Sequence, residues 1–459
     1  MKNIVGAFLI AVISGPVLIT DAAPVREEWV ARYNGTGNRV DGSEAIALDP
    51  EGNVYVTGVT WVGSDTGYDY ATIKYDAAGT ELWVSRYDGP SHGSDDAHAI
   101  AVDAAGNVYV TGESWGYSSD TDPNDYATVK YDANGNELWV ARYNGTANGY
   151  DTAKAVAVDA AGNVYVTGWS DGAGTGFDYA TVKYDLNGNG LWVARYNGAT
   201  NGFDFANAMA VDADGNVYVT GQSNRVGAYS DYATVKYDAN GNELWVARYN
   251  GPGNRSNAAT ALAVDPAGNV YVTGWSEGSG TSYDYATVKY DANGNELWAA
   301  RYNGPTNGFD FARALVLDPA GNVYVTGFSS RTSASGFYDY ATIKYSADGK
   351  EVWVAQYSGL PGLNRSNTAT GIALDAAGNV YVTGWGGGAV SHSFDQDYAT
   401  VKYDNDSNEL WVIRYNYAYA AEDLAKAIAV DAAGNVYVTG QSVGLSTDFD
   451  FATIKYSQQ

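Results

Sequence analysis

Cysteine is absent from the 459 residues, histidine occurs three times and methionine twice. The first absence excludes disulfides, thiol nucleophiles, iron–sulfur clusters and Cys-ligated zinc together. His92, His98 and His392 are too few for a multi-histidine metal centre. Positive charge is scarce as well: 26 Lys and Arg stand against 53 Asp and Glu, a formal net charge of −27. Such a surface repels phosphate backbones and anionic lipid, which argues against nucleic-acid or membrane-surface partners. Long apolar runs are missing except at the start, where Lys2 precedes Ile4–Ile19 and small residues follow at Ala22 and Ala23. This is the layout of a secretory signal over 1–22, cut after Ala22, because Pro24 disfavours cleavage one bond later. The alternative, a retained anchor, is short for a bilayer and is interrupted by Gly15-Pro16. The mature chain is therefore expected outside the cytoplasm, secreted, periplasmic or at the cell surface, with no transmembrane span.

What the chain has in abundance is Gly (55), Tyr (39) and Trp (13), arranged in repeats. Gly-Asn-Val-Tyr-Val-Thr-Gly begins at Gly52, Gly106, Gly162, Gly215, Gly268, Gly321, Gly378 and Gly434, at intervals of about 53 to 57 residues. Asp-Tyr-Ala-Thr-Val-Lys-Tyr or a close variant recurs eight times from Asp69 to Asp450, and a Leu-Trp-Val-Ala-Arg-Tyr-like string carries Trp29, Trp83, Trp139, Trp192, Trp245, Trp298, Trp353 and Trp411. Each unit reads as four short strands, a to d, such as 97–103, 107–112, 125–132 and 137–143, punctuated by Gly, Asn and Asp. No stretch has helical periodicity. The expected fold is all-β, a single eight-bladed β-propeller over 27–457 with four antiparallel strands per blade. The ends fix the count: an isolated d strand opens the mature chain at 28–35, and the final unit, 425–456, lacks one. The N-terminal strand should complete the last blade, since a seven-bladed ring would leave an exposed edge and two four-bladed rings would need a linker that the spacing does not show.

The combination Ile-Ala-Val-Asp-x-x-Gly-Asn-Val-Tyr-Val-Thr-Gly followed by Asp-Tyr-Ala-Thr-Val-Lys-Tyr resembles the SBBP β-propeller repeat family, here with eight repeats. The resemblance implies a secreted or surface-attached propeller from a family whose members mostly have no assigned activity. A weaker similarity, at Asp132–Trp139, is to pyrroloquinoline-quinone dehydrogenase propellers; their vicinal cysteine pair is absent.

Function is expected on the face carrying the b–c and d–a loops, which differ between copies (Ser118–Asn124, Ser223–Ser230, Gly386–Gln396), whereas the a–b and c–d turns are nearly uniform. Three candidates follow. Polar residues in the innermost strand, Glu44, His98, Lys154, Asn207, Thr260, Arg313, Thr370 and Lys426, are either an axial ligand site or the lining of a solvated channel. Trp61, Trp115, Trp169, Trp275 and Trp385 lie after strand b and serve either as flat sugar platforms or as packing between blades. Asp404, Asp406 and Asn408 place oxygens at alternate positions, as calcium loops do, although a side-chain-capped hairpin turn has the same spacing. No nucleophile motif is present. The sequence reads as a monomeric binding or scaffold module for carbohydrate or an extracellular protein, with calcium the one ion suggested and no organic cofactor. The alternative is a propeller hydrolase or lyase acting on polysaccharide, with His98 the one titratable break in the eight-fold pattern. The repeated Lys of strand c and Arg of strand d are expected to pair with the repeated Asp.

Overall fold

The computed structural model describes residues 25–458 apart from 64–66, 116–122, 226–228, 333–335, 363–364, 389–394, 418–420 and 446. The expected signal segment and His392 lie outside the described residues. The described chain forms eight four-stranded antiparallel sheets and nothing else. Blade 1 is Asp41–Leu48, Val54–Gly63, Gly67–Tyr75 and Glu81–Tyr87, and blades 2 to 8 begin at Asp95, Asp151, Asp204, Asn257, Asp310, Asn367 and Asp423. In the last blade, strand a (Asp423–Val430), b (Val436–Val443) and c (Phe449–Gln458) come from the C-terminal end, and strand d is Val25–Tyr33. That strand pairs antiparallel with Phe449–Gln458, Trp29 opposite Lys455 and Tyr33 opposite Phe451, so opposite ends of the chain close the ring. No helix among the described residues is long and apolar enough to cross a membrane.

Strand a carries a β-bulge in every blade, and the unpaired residue is the polar one: Glu44, His98, Lys154, Asn207, Thr260, Arg313, Thr370 or Lys426. The bulge pushes backbone toward strand b, which explains the last glycine of Gly-Asn-Val-Tyr-Val-Thr-Gly. A Cβ at Gly112 would stand 1.9 Å from the Asp96 carbonyl oxygen.

The blades are joined by a repeated polar and aromatic staple. Each strand-b Tyr lies against a strand-d Trp, and at five of them the next strand-c Tyr flanks the other side, as Tyr55 and Tyr131 flank Trp83 at centroid distances of 6.2 and 6.3 Å. The indole N–H of Trp83 donates to the Ala133 carbonyl in the next blade's c–d turn at 3.1 Å, and the Lys74 ammonium donates to the same oxygen at 3.3 Å while lying 4.9 Å from the Tyr55 ring. The strand-c lysines therefore serve carbonyls and aromatic faces, correcting the expectation that they pair with aspartates; an ammonium with three donors bridges a turn carbonyl and a ring better than it reaches a carboxylate across the blade. Trp411 packs against the last blade, whose c and d strands share no turn, and its indole N–H has no acceptor.

Candidate functional site

Strand order places all b–c and d–a loops on one face, above the first residues of strands a and c. At each junction between blades, the repeated aspartate near the start of strand c and the first strand-a residue of the following blade come together there. The pairs are Asp69 with Asp95, Asp125 with Asp151, Asp178 with Asp204, Asp284 with Asp310, Asp397 with Asp423 and Asp450 with Asp41, while Asn257 and Asn367 replace the second acid beside Asp231 and Asp339. A strand-d arginine compensates: Arg195 donates to Asp178 at 2.9 Å, to Ser170 Oγ at 2.6 Å and to the Tyr143 hydroxyl of the preceding blade at 3.0 Å. Equivalent pairs are Arg32–Asp450, Arg142–Asp125, Arg248–Asp231, Arg301–Asp284 and Arg414–Asp397, as the sequence suggests, and Arg331 serves Asp339.

The strand-a set is less open to ligand than expected. Asn207, Thr260 and Thr370 donate to the backbone carbonyls of Ala259, Ala312 and Ala425 in the next blade, at 2.8, 3.0 and 3.0 Å. Lys426 pairs with Glu44 at 3.1 Å, and the Arg313 guanidinium lies 5.5 Å from the Phe328 ring. His98 Nε2 is 3.1 Å from Lys154 Nζ. Burial, reinforced by Lys154, pushes the His98 imidazole down to about 3, so it is neutral at pH 7 and accepts from the ammonium. Beside it, Asp96 sits opposite Glu113 on the neighbouring strand, and burial followed by the Glu113 charge raises Asp96 to about 6.

These shifts fix a pH dependence. Burial raises Asp69 and Asp423 to about 7 and Asp95, Asp96 and Asp151 to about 6. The folded chain therefore holds more protons than the unfolded one between pH 7 and the ordinary carboxylate range, and stability is gained as pH falls through that window. His98 acts oppositely, costing stability below about 6.5 as the unfolded imidazole takes a proton that the folded one refuses. Five carboxyls outweigh one imidazole, so in calcium-free buffer the urea midpoint is expected to rise from pH 8 to about 5. A midpoint that falls over that range would contradict these assignments.

The five tryptophans separate into two sets. Trp169, Trp275 and Trp385 pair with the second residue of strand a, whereas Trp61 and Trp115 stand two residues further along the chain, Trp115 just past the end of strand b. Trp275 and Trp169 of the first set build aromatic groups that the sequence reading missed. Trp275 contacts Tyr283 at 4.7 Å and Phe311 at 5.6 Å; Tyr283 stacks on Phe309 at 5.8 Å, Phe311 on Phe328 at 5.1 Å, and Phe328 meets Tyr338 at 4.8 Å. A second group joins Trp169, Phe177, Phe203 and Phe205. Phe309 and Phe203 are 45% and 51% exposed. The signal was Asn-Gly-Phe-Asp-Phe, present at 201–205 and 307–311.

The Asp404 turn is a hairpin cap. Asp404 Oδ1 accepts the backbone N–H groups of Asp406 and Asn408, and Oδ2 accepts Asn408 Nδ2, the pattern of Asp132 with Asn134 and Asn136. The side-chain bond from Asn408 holds the Asp404 carboxyl below its ordinary range.

Six segments, 28–64, 85–118, 139–174, 192–225, 244–280 and 352–389, match the SBBP beta-propeller repeat. An uncharacterized WD repeat-containing protein, L264, of Acanthamoeba polyphaga mimivirus is 25% identical over 206 residues, 35% of this chain, and the match spans 14% of that relative's length. Among solved structures, the WD40 domain of SCAP from fission yeast aligns with a TM-score of 0.48 at 9% identity over 94% of this chain and 98% of that one. A protein of unknown function from Dyadobacter fermentans aligns with a TM-score of 0.43 at 11% identity over 95% and 99%. Each matched repeat runs from strand d of one blade into strand b of the next, the phase that end-to-end closure of the ring imposes, and the chain belongs to the SBBP beta-propeller repeat family, with eight blades.

Proposed function

We propose that the protein is an extracytoplasmic binding module that takes carbohydrate on its variable-loop face. The observation that carries this reading is the run of six rings from Phe309 through Tyr283, Trp275, Phe311 and Phe328 to Tyr338, whose outer member Phe309 is exposed. Sugar rings present flat C–H faces that stack on aromatic surfaces, and hydroxyls suit the Asp and Asn side chains that line the same loops. The net charge of −27 favours neutral or cationic glycans over sulfated or uronic ones. Binding to a glycan array is the test, with Phe309→Ala and Trp275→Ala expected to weaken the strongest hit by about tenfold or more each. An array without hits would leave a protein partner as the occupant.

The enzymatic alternative draws on Asp96, a carboxyl raised to about 6 opposite Glu113, and on the neutral His98 that breaks the eight-fold pattern beside Lys154. Turnover of a polysaccharide panel that is lost in Asp96→Asn and His98→Ala would favour it.

A further inference from the structure

The junction between blades 1 and 2 departs from the other seven in three residues. The residue after the strand-d Tyr is Asn34, Asn144, Asn197, Asn250, Asn303, Ser358 or Asn416 elsewhere and Asp88 here. In five blades that Asn donates to a second Asn four residues on, as Asn144 does to Asn148 at 2.6 Å. Here the second position is His92, whose Nδ1 lies 2.6 Å from Asp88 Oδ2. The third departure is in the counter-charge. Every other strand-c aspartate carries an arginine, but Arg86 forms no ion pair with Asp69 among the described residues and donates instead to Thr36 Oγ1 at 3.4 Å.

The consequence is a carboxylate triad. One oxygen from each of Asp69, Asp88 and Asp95 lies within 4.8 Å of the others. Asp69 and Asp95 are 4% and 0% exposed, and the Oδ1 atoms of all three residues are buried without a hydrogen-bond partner. The opposite oxygens of the other two are already fixed, Asp88 Oδ2 by His92 and Asp95 Oδ2 by the Gly89 N–H at 2.6 Å. Asp88 and Asp95 are thus held in place through their Oδ2 atoms, while Asp69 Oδ1 is buried with no hydrogen bond. Two oxygens held by one calcium at about 2.4 Å stand no more than about 4.8 Å apart, and the three carboxylates fall within that limit.

We propose that Asp69, Asp88 and Asp95 form a calcium site clamping blade 1 to blade 2, the cation standing in for the arginine that neutralises this position elsewhere. An all-carboxylate donor set suits a hard cation and gives zinc or copper no nitrogen or sulfur ligand. Asp88, 29% exposed, opens the site to solvent and provides the entry path.

The test is a calorimetric titration of CaCl2 into the EDTA-stripped protein, with thermal unfolding in calcium and in EDTA. One calcium per chain and a higher unfolding midpoint in calcium are expected. The double variant Asp88→Asn/His92→Asn rebuilds the Asn–Asn pair that five blades tolerate, so it should keep its midpoint in EDTA while its calcium affinity falls about tenfold or more. Asp404→Asn should titrate like the parent. Absence of calcium binding at about 1 mM, equal binding by the double variant, or loss of binding in Asp404→Asn would each overturn the assignment.

Discussion

Deleting residues 25–34 is expected to abolish the cooperative unfolding transition and to turn the closed ring into a concentration-dependent aggregate. The strand removed supplies the whole outer ladder of the last blade, from Val25 opposite Gln458 to Tyr33 opposite Phe451. It also carries two groups that no other segment replaces. Trp29 sits between Tyr75 and Tyr437 at 6.1 and 6.2 Å, and its indole donates to Ala77 of blade 1. Arg32 holds Asp450, Ser442 and the Tyr415 hydroxyl, with the Asp450 side chain 8% exposed. Losing the indole costs about 3–5 kcal/mol and stranding the buried carboxylate about as much again. Together these approach the roughly 5–15 kcal/mol that holds a typical domain together. What remains is a bare strand at 449–458, an open template for a second copy. Size-exclusion chromatography and a urea titration of the truncated chain read both effects, and a monomer with an unchanged midpoint would show that closure carries no stability. A peptide covering residues 25–34, added in excess, should partly restore the transition.

Much of this architecture is legible in the sequence because the repeat is long and its ends are out of phase. The orphan strand around Trp29 and the unpaired final unit could satisfy each other only by closing one ring. The Asp132 turn was equally readable, since Asx chemistry is local, whereas the alternating oxygens of Asp404, Asp406 and Asn408 pointed to calcium and turn out to cap a hairpin in the same way. What escaped the reading is what lies between blades. The polar residue of strand a is a bulge, so the alternation that assigns side chains to faces breaks at His98 and its counterparts. Trp61 and Trp169 look equivalent as tryptophans after strand b, yet two residues of register separate them, and Phe205 meets Trp169 from the next blade. Asp88 departs from the Asn of most other units, but the three carboxylates come from three strand ends on two blades, and no sequence spacing announces that Asp69, Asp88 and Asp95 converge.

The arginines at the junctions give the second large effect. Arg195→Ala is expected to lower the unfolding free energy by about 3–5 kcal/mol, because it removes one partner of a buried pair and leaves the other. The guanidinium contacts Asp178, the Ser170 hydroxyl and carbonyl, and Tyr143 of the preceding blade, and the Asp178 side chain is 6% exposed. Truncation would leave that carboxylate buried beside Asp204 with no counter-charge, and its Oδ1 already lacks a partner. Arg86→Ala is the matched control. The residue occupies the same place in blade 1 but is exposed, with one long bond to Thr36, so the loss should stay within about 0.5 kcal/mol. Urea midpoints of the two variants separate the explanations. If both fell equally, the arginines would act through packing of their aliphatic stems, and the charge accounting that singles out the first junction would lose its basis. If only Arg195→Ala falls, the eight junctions are held by buried charge pairs in seven places, and blade 1 must be neutralised by something other than its own arginine.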